Sequence, residues 1–159
     1  SIKSQFAKIA QVFPQMHCEY DWAEERIIPV NFTVAVDPDY VKIPLFWAFT
    51  QVAHYTDEDK GMRALNVERL SAQFRNGLPS VSRQHMELFG ISYFGKPINQ
   101  NAINALSGQQ DLLGDKDGSL MAHIVGQMTR KMGADIWVVN GTRDRADTHK
   151  IYLALPVPE

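Results

Sequence analysis

Hydrophobic and polar positions along this chain change period several times, and each change predicts an element. Ile2, Phe6, Ile9 and Phe13 fall at i, i+4, i+7 and i+11, which predicts an amphipathic helix stopped by Pro14. Residues 16–20 are short and β-compatible, suited to a sheet edge. After an acidic turn (residues 21–26), Val30, Phe32, Val34 and Val36 alternate with Asn31, Thr33 and Ala35, the pattern of a half-buried strand. Asp37 and Pro38 then supply an N-cap and a first helical residue. Val41, Leu45, Phe49 and Val52 give that helix its buried stripe, and Pro44 inside it predicts a kink.

The middle of the chain is less periodic. Residues 62–74 mix apolar and charged positions and fit a strand or a helix. Residues 82–93, bounded by Pro79 and Gly95, read as a strand, residues 98–106 as a short helix and residues 107–118 as a loop. Leu120, Ile124, Met128 and Met132 then recur at helical spacing, with Met121 and Val125 beside them, and predict a helix whose Met-rich stripe packs on the core. Gly126 inside that helix points to close contact with the sheet. Arg130 and Lys131 suit its negative end, and Gly133 is placed for a left-handed cap. Residues 135–139 and 150–155 read as two strands joined by a loop that opens with Asn140-Gly141. The expected fold is α/β: a two-layer sandwich of a mixed, mainly antiparallel sheet with helices packed on one face, residues 1–159 forming a single domain.

Composition changes this picture little. With 159 residues, 45% of them apolar, and a formal charge of −2, the chain has the material for one ordinary core. No Lys/Arg cluster advertises nucleic acid, and no apolar run is long enough to span a membrane. Cys18 is the single cysteine, so no internal disulfide can form, and a reducing compartment is expected. The start at Ser1 rather than Met leads us to expect a piece of a longer protein. His17, Cys18 and Glu19 have no second pair at ligand spacing, so no metal site is expected. His85, His123 and His149 read as surface or hydrogen-bonded residues, and Ser82 and Ser92 lack the partners of a hydrolase triad.

Met132-Gly133-Ala134 ending a helix, Ile136-Trp137-Val138 in a strand and Leu155-Pro156 closing the last strand occur in that order. This closing segment resembles that of the ATP-binding (HATPase, GHKL-type) domain of sensor histidine kinases. The resemblance extends upstream. Laid from Asp37-Pro38, the family's first motif falls on residues 47–56, with Gln51 in place of the magnesium-binding Asn, Trp47 in place of the upstream Asn and His54 at a basic position. Gln51 carries its amide oxygen one methylene too far, and magnesium demands near-ideal octahedral geometry.

The second motif, Asp-x-Gly-x-Gly-Ile, corresponds to residues 93–98. Gly95 and Ile98 agree, but Tyr93 replaces the Asp that reads adenine and Pro97 replaces the second glycine. The third motif, the glycine-rich phosphate cradle, corresponds to residues 117–122. Asp117, Ser119 and Met121 stand where glycines would let backbone N–H groups approach phosphate, Gly118 falls on the variable position between the first two, and Asp115 and Asp117 add negative charge. Each lost contact is worth about 1–3 kcal/mol. Losing adenine recognition, metal and phosphate cradle together removes several powers of ten in affinity.

The resemblance therefore implies a catalytically silent, pseudokinase-like ATPase domain with no cofactor, its pocket filled or collapsed around Tyr93, Pro97 and Met121, with Trp47 as a further candidate to fill it. The histidine phosphoacceptor of such proteins belongs to a separate helical hairpin, which this chain lacks. The implied partners are a response regulator or adjacent phosphotransfer and helical domains, in the cytoplasmic portion of an inner-membrane phosphorelay protein, for example of the Rcs type. The alternative implied by the same resemblance is a divergent but active domain that binds ATP and Mg, with Gln51 holding the metal.

Overall fold

Helix α1, Ile2–Val12, buries Ile2, Gln5, Phe6 and Ile9, one stripe of its surface, and ends before Pro14 as the spacing predicts. The computed structural model describes residues 2–21, 34–56, 63–69, 86–108, 118–141 and 148–156. The chain turns at Phe13, whose carbonyl accepts from the Met16 N–H at 3.0 Å, and enters strand β1, Met16–Asp21.

Helix α2, Pro38–Tyr55, starts on Asp37, which is extended and whose Oδ1 accepts from the Asp39 N–H at 2.8 Å. Val41, Leu45, Phe49 and Val52 are buried as expected, joined by Pro44, Trp47 and Ala48. The helix continues past Pro44. Strand β2, Arg63–Arg69, settles the choice left open over residues 62–74 in favour of a strand, and strand β3 is Met86–Phe94. Helix α3, Gln100–Leu106, begins two residues later than the periodicity suggested. Its start is set by the Asn99 side chain, which accepts from the Asn101 N–H at 2.8 Å. Helix α4, Ser119–Lys131, is followed by Gly133 at φ 77, the expected left-handed cap. Strands β4, Asp135–Val139, and β5, Thr148–Pro156, complete the chain.

The five strands lie in the order β1-β2-β3-β5-β4. Only β1 and β2 run parallel; β2–β3, β3–β5 and β4–β5 are antiparallel. The expected two-layer α/β sandwich is present: a mixed sheet and helices sharing one core. Phe89, Ile91 and Tyr93 lie opposite Leu153, Ile151 and His149 on the face that meets the helices. They share one cluster with Ile2, Phe6, Leu45, Phe49 and Val125. Each such apolar side chain removed from water contributes about 1.5–3 kcal/mol. Phe6 wedges between layers, its ring centroid 6.4 Å from Phe49 on α2 and 5.8 Å from Phe89 on β3. The opposite sheet face holds a smaller cluster of Met86, Leu88 and Ala154, with Trp137 stacked on Tyr152 at 5.5 Å.

Two expectations are corrected. Val34–Val36 form no strand but lead directly into the α2 cap, with the Ala35 N–H bonded to the Pro156 carbonyl at 2.7 Å; residues 30–33 lie outside the described residues. On α4 the buried face is Ala122, Val125, Gly126 and Thr129, whereas Leu120, Met121 and Ile124 are exposed. Close packing explains the reversal. A Cβ on Gly126 would lie 2.0 Å from the Leu106 carbonyl oxygen, so α3 can approach α4 only on its small-residue face. Arg130 Nη1 then donates to that same oxygen at 2.8 Å and caps α3. The acidic run at residues 57–59, Asp115 and Asp117, Ser82 and His85 lie outside the described residues.

Candidate functional site

Past Tyr93 the chain leaves β3 through residues 95–99, and three other elements grip this segment. Gly95 sits at φ 154, a conformation that side chains disfavour, and forms an isolated antiparallel bridge with Thr56 at the end of α2. The Lys96 N–H donates to the Tyr55 carbonyl at 2.9 Å. The Tyr93 hydroxyl donates back to the Lys96 carbonyl at 2.8 Å. Asn140, at the end of β4, accepts from the Ile98 N–H at 3.2 Å and donates to the Ile98 carbonyl at 3.0 Å. The Asn99 N–H reaches the Tyr55 hydroxyl at 3.4 Å. Pro97, the one residue of this segment without an N–H, is exposed and leaves no donor to satisfy.

His149, at the start of β5, completes the arrangement and is only 1% exposed. Its Nδ1 accepts from the Gly141 N–H at 3.0 Å. That bond requires a bare Nδ1, so Nε2 carries the proton and donates to the Gly95 carbonyl at 3.0 Å. The ring lies 5.3 Å from Tyr93, its cross-strand neighbour. Every polar atom of His149 is thereby used, in accord with the general pairing of buried polar groups.

The sequence-derived site positions separate into two groups. Tyr93 is 1% exposed, Trp47 is in the core, and Gly95 belongs to the bonded segment. Gln51 is half-buried on α2, one turn before Tyr55. Gly118 and Met121, at the start of α4, are exposed, as is Pro97, and Ser119 is half-buried. Met121 and Pro97 therefore do not plug a pocket: their side chains face out. Among the described residues no hydrogen bond joins Gln51, Ser119 or Met121 to Tyr93 or Gly95. Sequence reasoning missed Tyr55 and Asn140 as organising residues. Asn140-Gly141 was legible as a turn, but its partner Ile98 is 42 residues away.

The Tyr93 phenol already donates to Lys96, and the N–H groups of Lys96, Ile98 and Asn99 are spent on the fold. Among the described residues no group of three His, Cys, Asp or Glu side chains could hold a metal ion. A separate cleft of about 390 Å³ lies between the first turn of α2 and the last turn of α4, lined by Val36, Asp37, Tyr40, Met128, Lys131 and Met132.

Burial, and then the neighbouring Tyr55, push the Tyr93 phenol above its ordinary value. Burial, and then Cys18, push Tyr20 up to about 12. An unfolded tyrosine releases its proton near pH 10. Above that pH the unfolded chain binds fewer protons than the folded one, so stability falls as pH rises. We expect stability undiminished by these groups below about pH 10 and declining above it, with a shallower decline in Tyr93→Phe. Ultraviolet titration of the five tyrosines checks this, and a single ordinary tyrosinate transition would refute it.

The sheet order and its helical layer define the fold of the ATP-binding catalytic domain of histidine kinases. The chain is similar to the mycobacterial sensor histidine kinase MprB, with 12% identity over 99% of this chain and 96% of that one and a TM-score of 0.65. It is equally similar to the catalytic domain of histidine kinase ThkA in a nucleotide-free form, with 12% identity, coverage of 99% and 95% and a TM-score of 0.65. Full-length ShkA in complex with AMPPNP matches 99% of this chain with 31% of its own length, at 11% identity and a TM-score of 0.66. No family model matches the chain. No curated protein matches it either.

Proposed function

We propose that this histidine-kinase-like domain is catalytically silent and serves as a scaffold or interaction module in a two-component phosphorelay protein. The observation that carries this reading is the bonding of residues 95–99. A segment that must adapt to an incoming base instead has its amides and carbonyls committed to Tyr55, Asn140 and His149. The scaffold is independent of any ligand, because its core is built from sheet and helix packing alone. Its partners are then a response regulator, or the phosphotransfer and helical domains of the same protein. Its setting is the cytoplasmic portion of an inner-membrane protein, with a Rcs-type phosphorelay as the specific case. No helix among the described residues is long and apolar enough to cross a membrane.

Isothermal titration with ATP and Mg, repeated with AMPPNP, tests the reading. The expected result is no saturable heat at millimolar nucleotide. Saturable, magnesium-dependent heat that disappears in Gln51→Ala would replace this reading with that of a divergent, active ATP-binding domain.

A further inference from the structure

We propose that His149 is a proton-operated latch between Gly141, just past the end of β4, and the segment at residues 95–99. The imidazole joins the two by accepting from Gly141 and donating to Gly95, both at 3.0 Å. Only the neutral ring can do this. An imidazolium has two N–H groups, so a proton added at Nδ1 sets a donor against the Gly141 donor and breaks that bond. Turning the ring does not help, because both nitrogens then carry hydrogen.

The Gly95 bond survives protonation, and the Gly141 bond does not. Gly141 follows Asn140, which holds both the N–H and the carbonyl of Ile98. Releasing Gly141 therefore loosens the anchor of residues 95–99 at one end, while Tyr55 and Thr56 keep the other. The outcome is a hinged segment rather than an unfolded domain.

The hydroxyls of the two tyrosines beside the ring on β3 and α2 are already bonded elsewhere. From β3, Tyr93 presents its ring, and its hydroxyl is engaged with Lys96. From α2, the Tyr55 hydroxyl takes the Asn99 N–H, and His54 packs edge-on against Tyr55 at 4.7 Å. Lys96 contributes its backbone and is exposed. On β5, Lys150 points to the opposite sheet face and pairs with Glu68 at 3.0 Å. On β4 the charged residue is Asp135, four residues before Val139. The sequence between Gly141 and Thr148 adds Arg143, Asp144, Arg145 and Asp147, outside the described residues.

The latch operates whether or not nucleotide binds, so the ATP titration and the following test judge different claims. Nitrogen-resolved NMR of the whole chain, taken from about pH 8 to about pH 5, reports the His149 tautomer and its protonation. Amide exchange measured in parallel should show protection factors at Gly141 and Ile98 falling about tenfold as His149 takes up its proton, with Val138 unchanged. His149→Phe should leave both amides poorly protected at every pH. Protonation of His149 with Gly141 and Ile98 undisturbed overturns the latch. So does the same pH-dependent loosening in His149→Phe, or a ring that stays neutral until the whole domain unfolds. The wild-type measurement decides the matter even where His149→Phe does not fold.

Discussion

Gly126→Ala is expected to destabilise the domain by about 3 kcal/mol or more, the upper end of what overpacking costs. A Cβ there would stand 2.0 Å from the Leu106 carbonyl oxygen and 2.9 Å from its carbon, both backbone atoms. No rotamer change relieves that overlap, so α3 must move away from α4. The move also breaks the 2.8 Å bond from Arg130 Nη1 to the same oxygen, since that nitrogen would itself lie 3.2 Å from the added carbon. Arg130→Ala removes the cap without the clash and should cost only about 1–3 kcal/mol. Urea unfolding of the two variants checks the ranking, and equal midpoints would show that α3 docks less closely than described.

Tyr93→Ala should lose about 3–5 kcal/mol, as large buried aromatics do when truncated. Tyr93 is among the largest fully buried side chains, set between His149 and the segment it supports. Tyr93→Phe keeps the ring and loses only the bond to the Lys96 carbonyl, for a cost of about 1 kcal/mol. The two variants separate ring packing from the hydroxyl. Should both lose the same stability in chemical unfolding, packing is not what Tyr93 supplies.

Much of the fold could be read from sequence because its signals are local. Asp37-Pro38, the Val41-Leu45-Phe49-Val52 stripe and the closing Gly133 each act within a few residues, and each appears where periodicity and capping chemistry put it. The face of α4 could not be read this way. Hydropathy favours Leu120, Met121 and Ile124, yet the distance at which two helices pack is set by their smallest residues, Ala122 and Gly126. That is a property of the pair, and the sequence of one helix does not contain it.

The candidate site divides along the same line. Tyr93 was recognisable as a ring standing in place of a carboxylate, and the structure buries it. Met121 and Pro97 were expected to fill the same space and instead face outward, because their direction depends on how α4 and residues 95–99 are held. Those holds span 42 residues for Asn140 to Ile98 and 54 for His149 to Gly95. A turn signal and a strand start carry no record of such partners.

The position of Phe6 between Phe49 and Phe89 also bears on where this unit can be cut. Helix α1 is a tile in the roof, not a tether leading up to it. A shortened version beginning at β1 would keep all five strands and still expose two aromatic rings to water. Whoever excises this module for binding work must carry the eleven-residue helix α1 along, or risk mistaking a sticky, half-covered core for genuine partner affinity.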